Sequence, residues 1–352
     1  MSSEVTTRIL ARSEYPHWAD LVAGSPDGSG YSLPQYLDAL CDAAGGGYRV
    51  LVAERDGHIV GGIALYERPI TFGSCVSPRL LLYYNGIVLM PHDTKYPSQR
   101  TFWHLQTLAA LECALSHLHH ARLRFKSRAT LNDGRVFQSR GWSVETLYTY
   151  VVDISDLDAA WSRIDKNLRR LVGRCREQGV TTTVDSDFDA FYRLHLQTHV
   201  RKGAALYLPR DAFRTFIADL HAKGLCRLYH ARLPDGRAIA TQLVQVCRHP
   251  VTHTIAAGAD AEFLNLGASA FLRWRVFEDL AALGYKANDL TDAELNPVTH
   301  FKSQLGGDLM MCLEISRPDH LFLRFGEQAA SIPRRAKRHL LRVLRPAGGR
   351  DE

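Results

Sequence analysis

Apolar positions along the chain fall into two recurring patterns. Residues 48–65 (YRVLVAERDGHIVGGIAL) and 226–244 (CRLYHARLPDGRAIATQLV) each read as two β-runs joined by Asp-Gly. Asp-Gly between such runs marks a hairpin, because these residues tolerate the positive φ that a tight turn demands. Upstream of each hairpin lies a helical pattern closed by glycine, SLPQYLDALCDAAGGG (32–47) and YLPRDAFRTFIADLHAKG (207–224). Downstream lies a further strand, LLLYYNGIVLM (80–90) or VTHTIAAGA (251–259). A long helix follows, from Ser98 to His119 or from Gly267 to Leu283, and then a last strand at 121–127 or 285–291. Each half therefore reads helix, hairpin, strand, helix, strand. The join, YTYVVDISDLD (148–158), is a strand followed by a helix start. The order predicts two similar α/β units, 1–150 and 151–316, with a separate tail at 317–352.

Composition narrows the class. The 352 residues are 46% hydrophobic and 23% charged, which excludes a disordered or collagenous chain. No apolar run approaches the ~18 residues of a spanning helix. MSSEVTTRIL lacks the basic flank and apolar stretch of an export signal, so a cytoplasmic protein is expected. The seven cysteines are scattered and contain no C-x-x-C, which argues against a disulfide framework or a metal site. The net charge of +6 is concentrated beyond residue 316, where nine Lys and Arg meet four Asp and Glu. Ser331 is a candidate helix cap there. Ile332, Ala336, Leu340, Leu341 and Leu344 would form its apolar stripe, beneath arginines suited to the protein itself, RNA phosphates or an anionic membrane surface.

The repeated order is that of the GNAT acyltransferase core, and the chain resembles the FemAB-like branch, in which two such units stand in tandem. The resemblance rests on GWSVETLYTYVVDI (141–154), the Arg-rich WSRIDKNLRRLVGRCREQGV (161–180), FYRLHLQTHVRKG (191–203) and NDLTDAELNPVTHFKSQLGGD (288–308). It is specific over 140–310 and one of pattern before that. It implies a mixed α+β fold, each unit a twisted mixed sheet flanked by helices, and an acyl or aminoacyl transferase.

Several positions are candidates for chemistry. In 161–178, read as one helix, Trp161, Ile164, Leu168, Leu171, Val172 and Cys175 form the core stripe. Arg163, Lys166, Arg170 and Arg174 form a basic face flanked by Arg169. That face is either solvated or a clamp for phosphate or carboxylate. After the next helix, His199, Arg201, Lys202 and Tyr207 are expected on a loop, with His199 a candidate proton acceptor and the others substrate contacts. Gly267 and Ser269 open the second long helix, where free backbone N–H groups favour an anion. The family's coenzyme A signature there is degraded, with Leu264 in its first position, and PSQRTFW (97–103) in the first unit has no glycine. Asp289 ends a strand and is a catalytic candidate. The resemblance places Phe301 and Lys302 beside the acyl donor, with the lysine offering a cation to the reacting ester or a phosphate.

The chain contains no G-x-S-x-G elbow, P-loop or G-x-G-x-x-G. Direct attack of an amine on an activated ester needs none of them. The expected function is transfer of an aminoacyl group from aminoacyl-tRNA to an amine, such as a cell-wall precursor or a natural product, with no permanently bound cofactor and no metal. The alternatives are an acyl-CoA-dependent N-acyltransferase and a non-catalytic module that binds anionic ligands.

Overall fold

The computed structural model describes residues 4–318 except Phe72 and Asn296. The basic tail helix expected from Ser331 lies outside the described residues.

The first half runs β1 (Thr6–Ile9), α1 (Tyr15–Gly24), α2 (Pro34–Ala44), β2 (Gly47–Arg55), β3 (His58–Ile70), β4 (Gly73–Val76), β5 (Ile87–Leu89), α3 (Pro97–His117), β6 (Arg122–Lys126) and α4 (Arg135–Ser139). After β7 (Ser143–Asp153) come α5 (Leu157–Arg163), α6 (Lys166–Glu177), β8 (Thr181–Val184), α7 (Phe188–Arg201) and α8 (Arg210–Ala222). The remainder is β9 (Cys226–Arg232), β10 (Ala238–Gln245), β11 (Val251–Ala259), α9 (Ala268–Ala282), β12 (Ala287–Asp289), α10 (Pro297–Ser303) and β13 (Asp308–Ser316).

Both hairpins form where Asp-Gly was found. At β2–β3, Asp56 and Gly57 take φ of 52° and 76°, the paired left-handed turn that this dipeptide favours. At β9–β10 only Gly236 is left-handed (φ 87°), and the longer turn closes through Leu233 and Arg237. The equivalent helices α2 and α8 pack on each other across the two halves, with Tyr36 and Phe216 edge to face at 5.7 Å.

One mixed sheet of 13 strands runs through the molecule. Each half contributes one parallel pair, β4–β6 and β11–β12. Beyond these pairs the halves exchange strands. β7, which follows β6 in sequence, pairs with β12, while β13, which follows β12, pairs with β6. β7 and β13 then join antiparallel along Ser143–Val151 and Asp308–Ser316. Residue 150, the expected division, falls inside β7.

Two expected elements differ. The apolar run 80–90 is a strand only at β5; before it, Leu81 turns left-handed (φ 70°) and Arg79 bridges Leu82. Leu81, Leu82, Tyr83 and Tyr84 pack in the core cluster that both halves share, while Leu80 is exposed. The helix expected over 161–178 is broken after Arg163, where Asp165 caps α6 by accepting the Asn167 N–H at 2.8 Å.

Candidate active site

The parallel pair β11–β12 holds register only from Val251–Ala287 to His253–Asp289. β11 runs on to Ala259 and β12 stops, so the sheet splits. Two cavities open at this split, of about 450 Å³ and 630 Å³. Both are walled by Ala257, Arg273, Lys202 and Val298, so they meet at a shared wall. The smaller one, the α9 cavity, is lined by Gly267, Ser269, Phe301, Arg201 and Gln242, and by no Asp or Glu. The larger, the inter-half cavity, takes Tyr83 from the first half together with His195, His199, Tyr207, Asp292 and Lys302.

Helix α7 supplies the imidazoles. Asp187 caps it by accepting the Ala190 N–H, and Phe188, Phe191, Leu194, His195 and Thr198 are its buried stripe. Gly258 on β11 lets the helix approach, since a Cβ there would lie 2.6 Å from the Leu194 carbonyl. His195 donates from Nδ1 to the Ala257 carbonyl at 3.4 Å, which leaves the buried Nε2 as an unpartnered acceptor. Burial, reinforced by His199, pushes His195 down to about 4, so it is neutral at physiological pH. His199 stands one turn on, its ring 4.5 Å from that of His195, with a buried unpartnered Nδ1 and a pKa also lowered by burial. His199 and Arg201 are therefore on the last turn of a helix, not on a loop as expected; Lys202 caps it and only Tyr207 lies beyond.

Lys302 comes from α10. Its Nζ donates to the carbonyls of Thr291 and Asp292, two successive residues in left-handed conformation (φ 48° and 59°). Burial and the nearby Arg273 pull its pKa down to about 8.

Asp289 does not line either cavity. It is buried behind the split, accepting from Tyr84 Oη (2.8 Å), Thr149 Oγ1 (2.6 Å) and the Thr291 N–H (2.8 Å), with His253 Nδ1 at 3.6 Å. Burial opposes its charge, yet His253 and Thr149 hold the carboxyl well below the usual range. Asp289, expected as a catalytic residue, thus faces neither cavity; it holds the Thr291 N–H, and the Thr291 carbonyl receives Lys302.

The basic face of α6 also departs from expectation. Arg169, Arg170 and Arg174 line neither cavity; the stripe that does so is Leu168 and Leu171. Arg170 and Arg174 are exposed, and Arg174 reaches the Asn265 carbonyl. Gly267 is at the N-terminus of α9 with φ 91°, and a Cβ on it would lie 2.5 Å from Leu171 Cβ. Gly267→Ala is expected to cost about 1–3 kcal/mol through backbone strain and overpacking. Adding Leu171→Gly, which removes that Cβ, should recover the overpacking part of the loss in thermal melts, which would assign the glycine to helix packing.

Sequence reasoning missed His195 and Arg273. The spacing of His195 and His199 by four was visible in FYRLHLQTHV. Arg273 gave no signal, because its neighbour Arg275 pairs with Glu278 at the surface and the two look alike in sequence.

Residues 162–303 match the family model described as acetyltransferase (GNAT) domain. The fold is similar to that of FemX, with a TM-score of 0.69 at 12% identity over 87% of this chain and 96% of that one. It is also similar to the C-terminal domain (DUF2156) of a putative lysylphosphatidylglycerol synthetase from Agrobacterium fabrum (TM-score 0.54, 13% identity, 86% and 91% covered). A tandem GNAT protein from the clavulanic acid biosynthesis pathway gives a TM-score of 0.53 at 13% identity, with 89% and 98% covered. No curated protein sequence matches.

Proposed function

We propose that this chain, whose residues 162–303 match the acetyltransferase (GNAT) domain model and whose fold is similar to that of FemX, is an acyltransferase that forms amide bonds by moving an aminoacyl group from aminoacyl-tRNA to an amine acceptor. The observation that carries the reading is the junction of two unlike cavities at the split strand. One is free of carboxylates and suits the anionic end of a donor; the other carries neutral imidazoles and Lys302 and suits a reacting amine.

The reaction needs few parts. The amine nitrogen attacks the ester carbonyl carbon, a C–N bond forms, and the C–O bond to the ribose breaks. The attacking amine gives up one N–H proton and the departing ribose oxygen takes one up, so the alcohol and the amide form with no net proton released. His199 accepts the N–H of the attacking amine, and Lys302 offers its remaining N–H to the developing oxyanion. His195 and Tyr207 support His199 from the sides, at ring distances of 4.5 Å and 6.1 Å. The acceptor would be a wall precursor or a natural-product amine, and a cytoplasmic setting goes with a charged tRNA as donor.

The donor choice is supported by Leu171, which packs closely beside Gly267 and narrows the approach to the N-terminus of α9, and by Leu264, which stands in the first position of the degraded coenzyme A signature. Acyl-CoA is the second reading, favoured by the placement of Ser269 and the apolar wall of Leu168 and Leu264 in the α9 cavity. Purified protein offered labelled aminoacyl-tRNA and acyl-CoA in parallel, with a panel of amines, tests both. Amide product from the charged tRNA alone is expected, with binding that weakens steeply as salt rises. Arg170→Ala with Arg174→Ala should flatten that salt dependence and leave the melting temperature unchanged. Product from acyl-CoA alone would replace the first reading by the second.

A further inference from the structure

Arg273 lies on α9 among Phe271, Leu272, Trp274, Val276 and Phe277, all buried. It is itself only 8% exposed. One of its five N–H groups is used, Nη1 donating to Thr254 Oγ1 at 2.9 Å. Among the described residues no carboxylate pairs with it, and burial alone draws its pKa down to about 10. A buried guanidinium without a counter-ion costs stability unless a ligand supplies one. Arg273 walls both cavities, and Lys302 is close enough for the two like charges to oppose each other. With Lys202, which also walls both cavities, three cations face this space and favour an anionic group.

The same inter-half cavity also holds carboxylates. Asp292 and Glu294 line it; neither is within ion-pair distance of a described cation, and the Asp292 charge acts on Lys302 from farther off. The unpartnered His195 Nε2 and His199 Nδ1 add two neutral acceptors. Unpaired groups of both signs in one cavity complement a zwitterion. A phosphate dianion would meet the two carboxylates, whereas a carboxylate carried with an ammonium satisfies both sets.

We propose that Arg273 anchors a carboxylate of the acceptor, so that the acceptor is an amino-carboxylic compound, an amine that carries its own carboxylate. This rests on the acyltransfer reading only in naming that ligand the acceptor. The carboxylate binds at the cavity junction through the Arg273 guanidinium, which leaves the free Lys302 N–H for the reacting carbonyl. The amine lies toward Asp292, Glu294 and the imidazoles, and becomes the nucleophile when it loses its proton.

The test is calorimetric titration, without any acyl donor, of the amino acids from glycine to 6-aminohexanoate, a set of α-amino acids, the chain-matched alkylamines, and inorganic phosphate. At least one amino-carboxylate should bind about tenfold or more tighter than its matched amine. Arg273→Met should remove that difference. Arg273→Lys, which keeps the charge and loses the planar fork, should retain part of it. Thr254 Oγ1 keeps Gln242 and Asn288 as partners in either variant, so the core stays satisfied. The ligand-free Arg273→Met protein should also melt higher than the parent, the reverse of what a structural arginine would give. Equal binding of amines with and without a carboxylate, binding by none of the series, preference for phosphate, or unchanged affinity in both variants would overturn the proposal. Failure of transfer with every donor would leave a positive titration standing. Efficient transfer to amines that lack a carboxylate would remove the anchor and leave the transferase.

Discussion

Lys302→Ala is expected to lower turnover by about 10²–10³-fold, the usual loss when a single donor to a developing oxyanion is removed. The lysine is fixed for this work: two of its N–H groups are spent on the Thr291 and Asp292 carbonyls, and the third is left toward the inter-half cavity. Its lowered pKa adds a pH signature. The cation is present below about 8 and is lost as the pH rises through that value. Activity should rise on the acid side as the acceptor amine deprotonates, and fall above about 8 as Lys302 does. Lys302→Arg keeps its charge at all working pH values, so the alkaline limb should vanish while part of the rate survives. Rate–pH profiles for the three proteins decide it; a Lys302→Ala rate within threefold of the parent would make the residue a bystander.

Asp289→Ala should act on stability instead, by about 3–5 kcal/mol, the range found when one member of a buried, hydrogen-bonded charged set is removed. Four groups converge on this carboxylate, and they come from distant parts of the chain: Tyr84 in the first half, Thr149 on β7, His253 on β11 and Thr291 beyond β12. The carboxylate is therefore a pin between the halves. Its pKa is lowered in the folded state, so its contribution is complete above the ordinary carboxylate range and is lost as the pH falls through the folded value. The parent protein should lose stability on acidification in a way that Asp289→Ala does not. Chemical denaturation at neutral and acidic pH measures both, and a loss below about 1 kcal/mol would mean that the surrounding donors find other partners.

The local devices of this fold were legible in the chain. Asp56-Gly57 and Asp235-Gly236 mark hairpins because few other residues accept the φ values of such turns. Gly45 and Gly224 close α2 and α8 for the same reason, and the long helices α3 and α9 follow from their length and from the turn residues around them. The order helix, hairpin, strand, helix, strand, read twice, and the FemAB-like segments led to the expected fold, which resembles that of FemX and of a tandem GNAT protein. The sequence also named Lys302, His199, Lys202, Tyr207, Phe301, Arg201, Gly267 and Ser269, which the fold gathers along the two adjoining cavities.

Everything that depended on which surfaces meet was decided by the tertiary structure. Leu81 to Tyr84 are β-like in composition, yet they turn and pack in the core cluster shared by the halves, because burial rewards apolar side chains whatever their backbone does. The exchange of β7 and β13 pairs strands more than 150 residues apart, and no local pattern specifies a partner at that distance. Asp289 looked like a reacting carboxylate until Tyr84 and Thr149 arrived from elsewhere to surround it. Arg169, Arg170 and Arg174 were expected at the site, but α6 turns its leucines to the α9 cavity and keeps its arginines outside it, where they face only the part of a ligand that lies beyond the cavity. Arg273 and Arg275 are two residues apart on one helix, and only the packing of α9 buries the first and exposes the second. Charge is written in the sequence, but the dielectric around it and the partners that answer it are set by the fold.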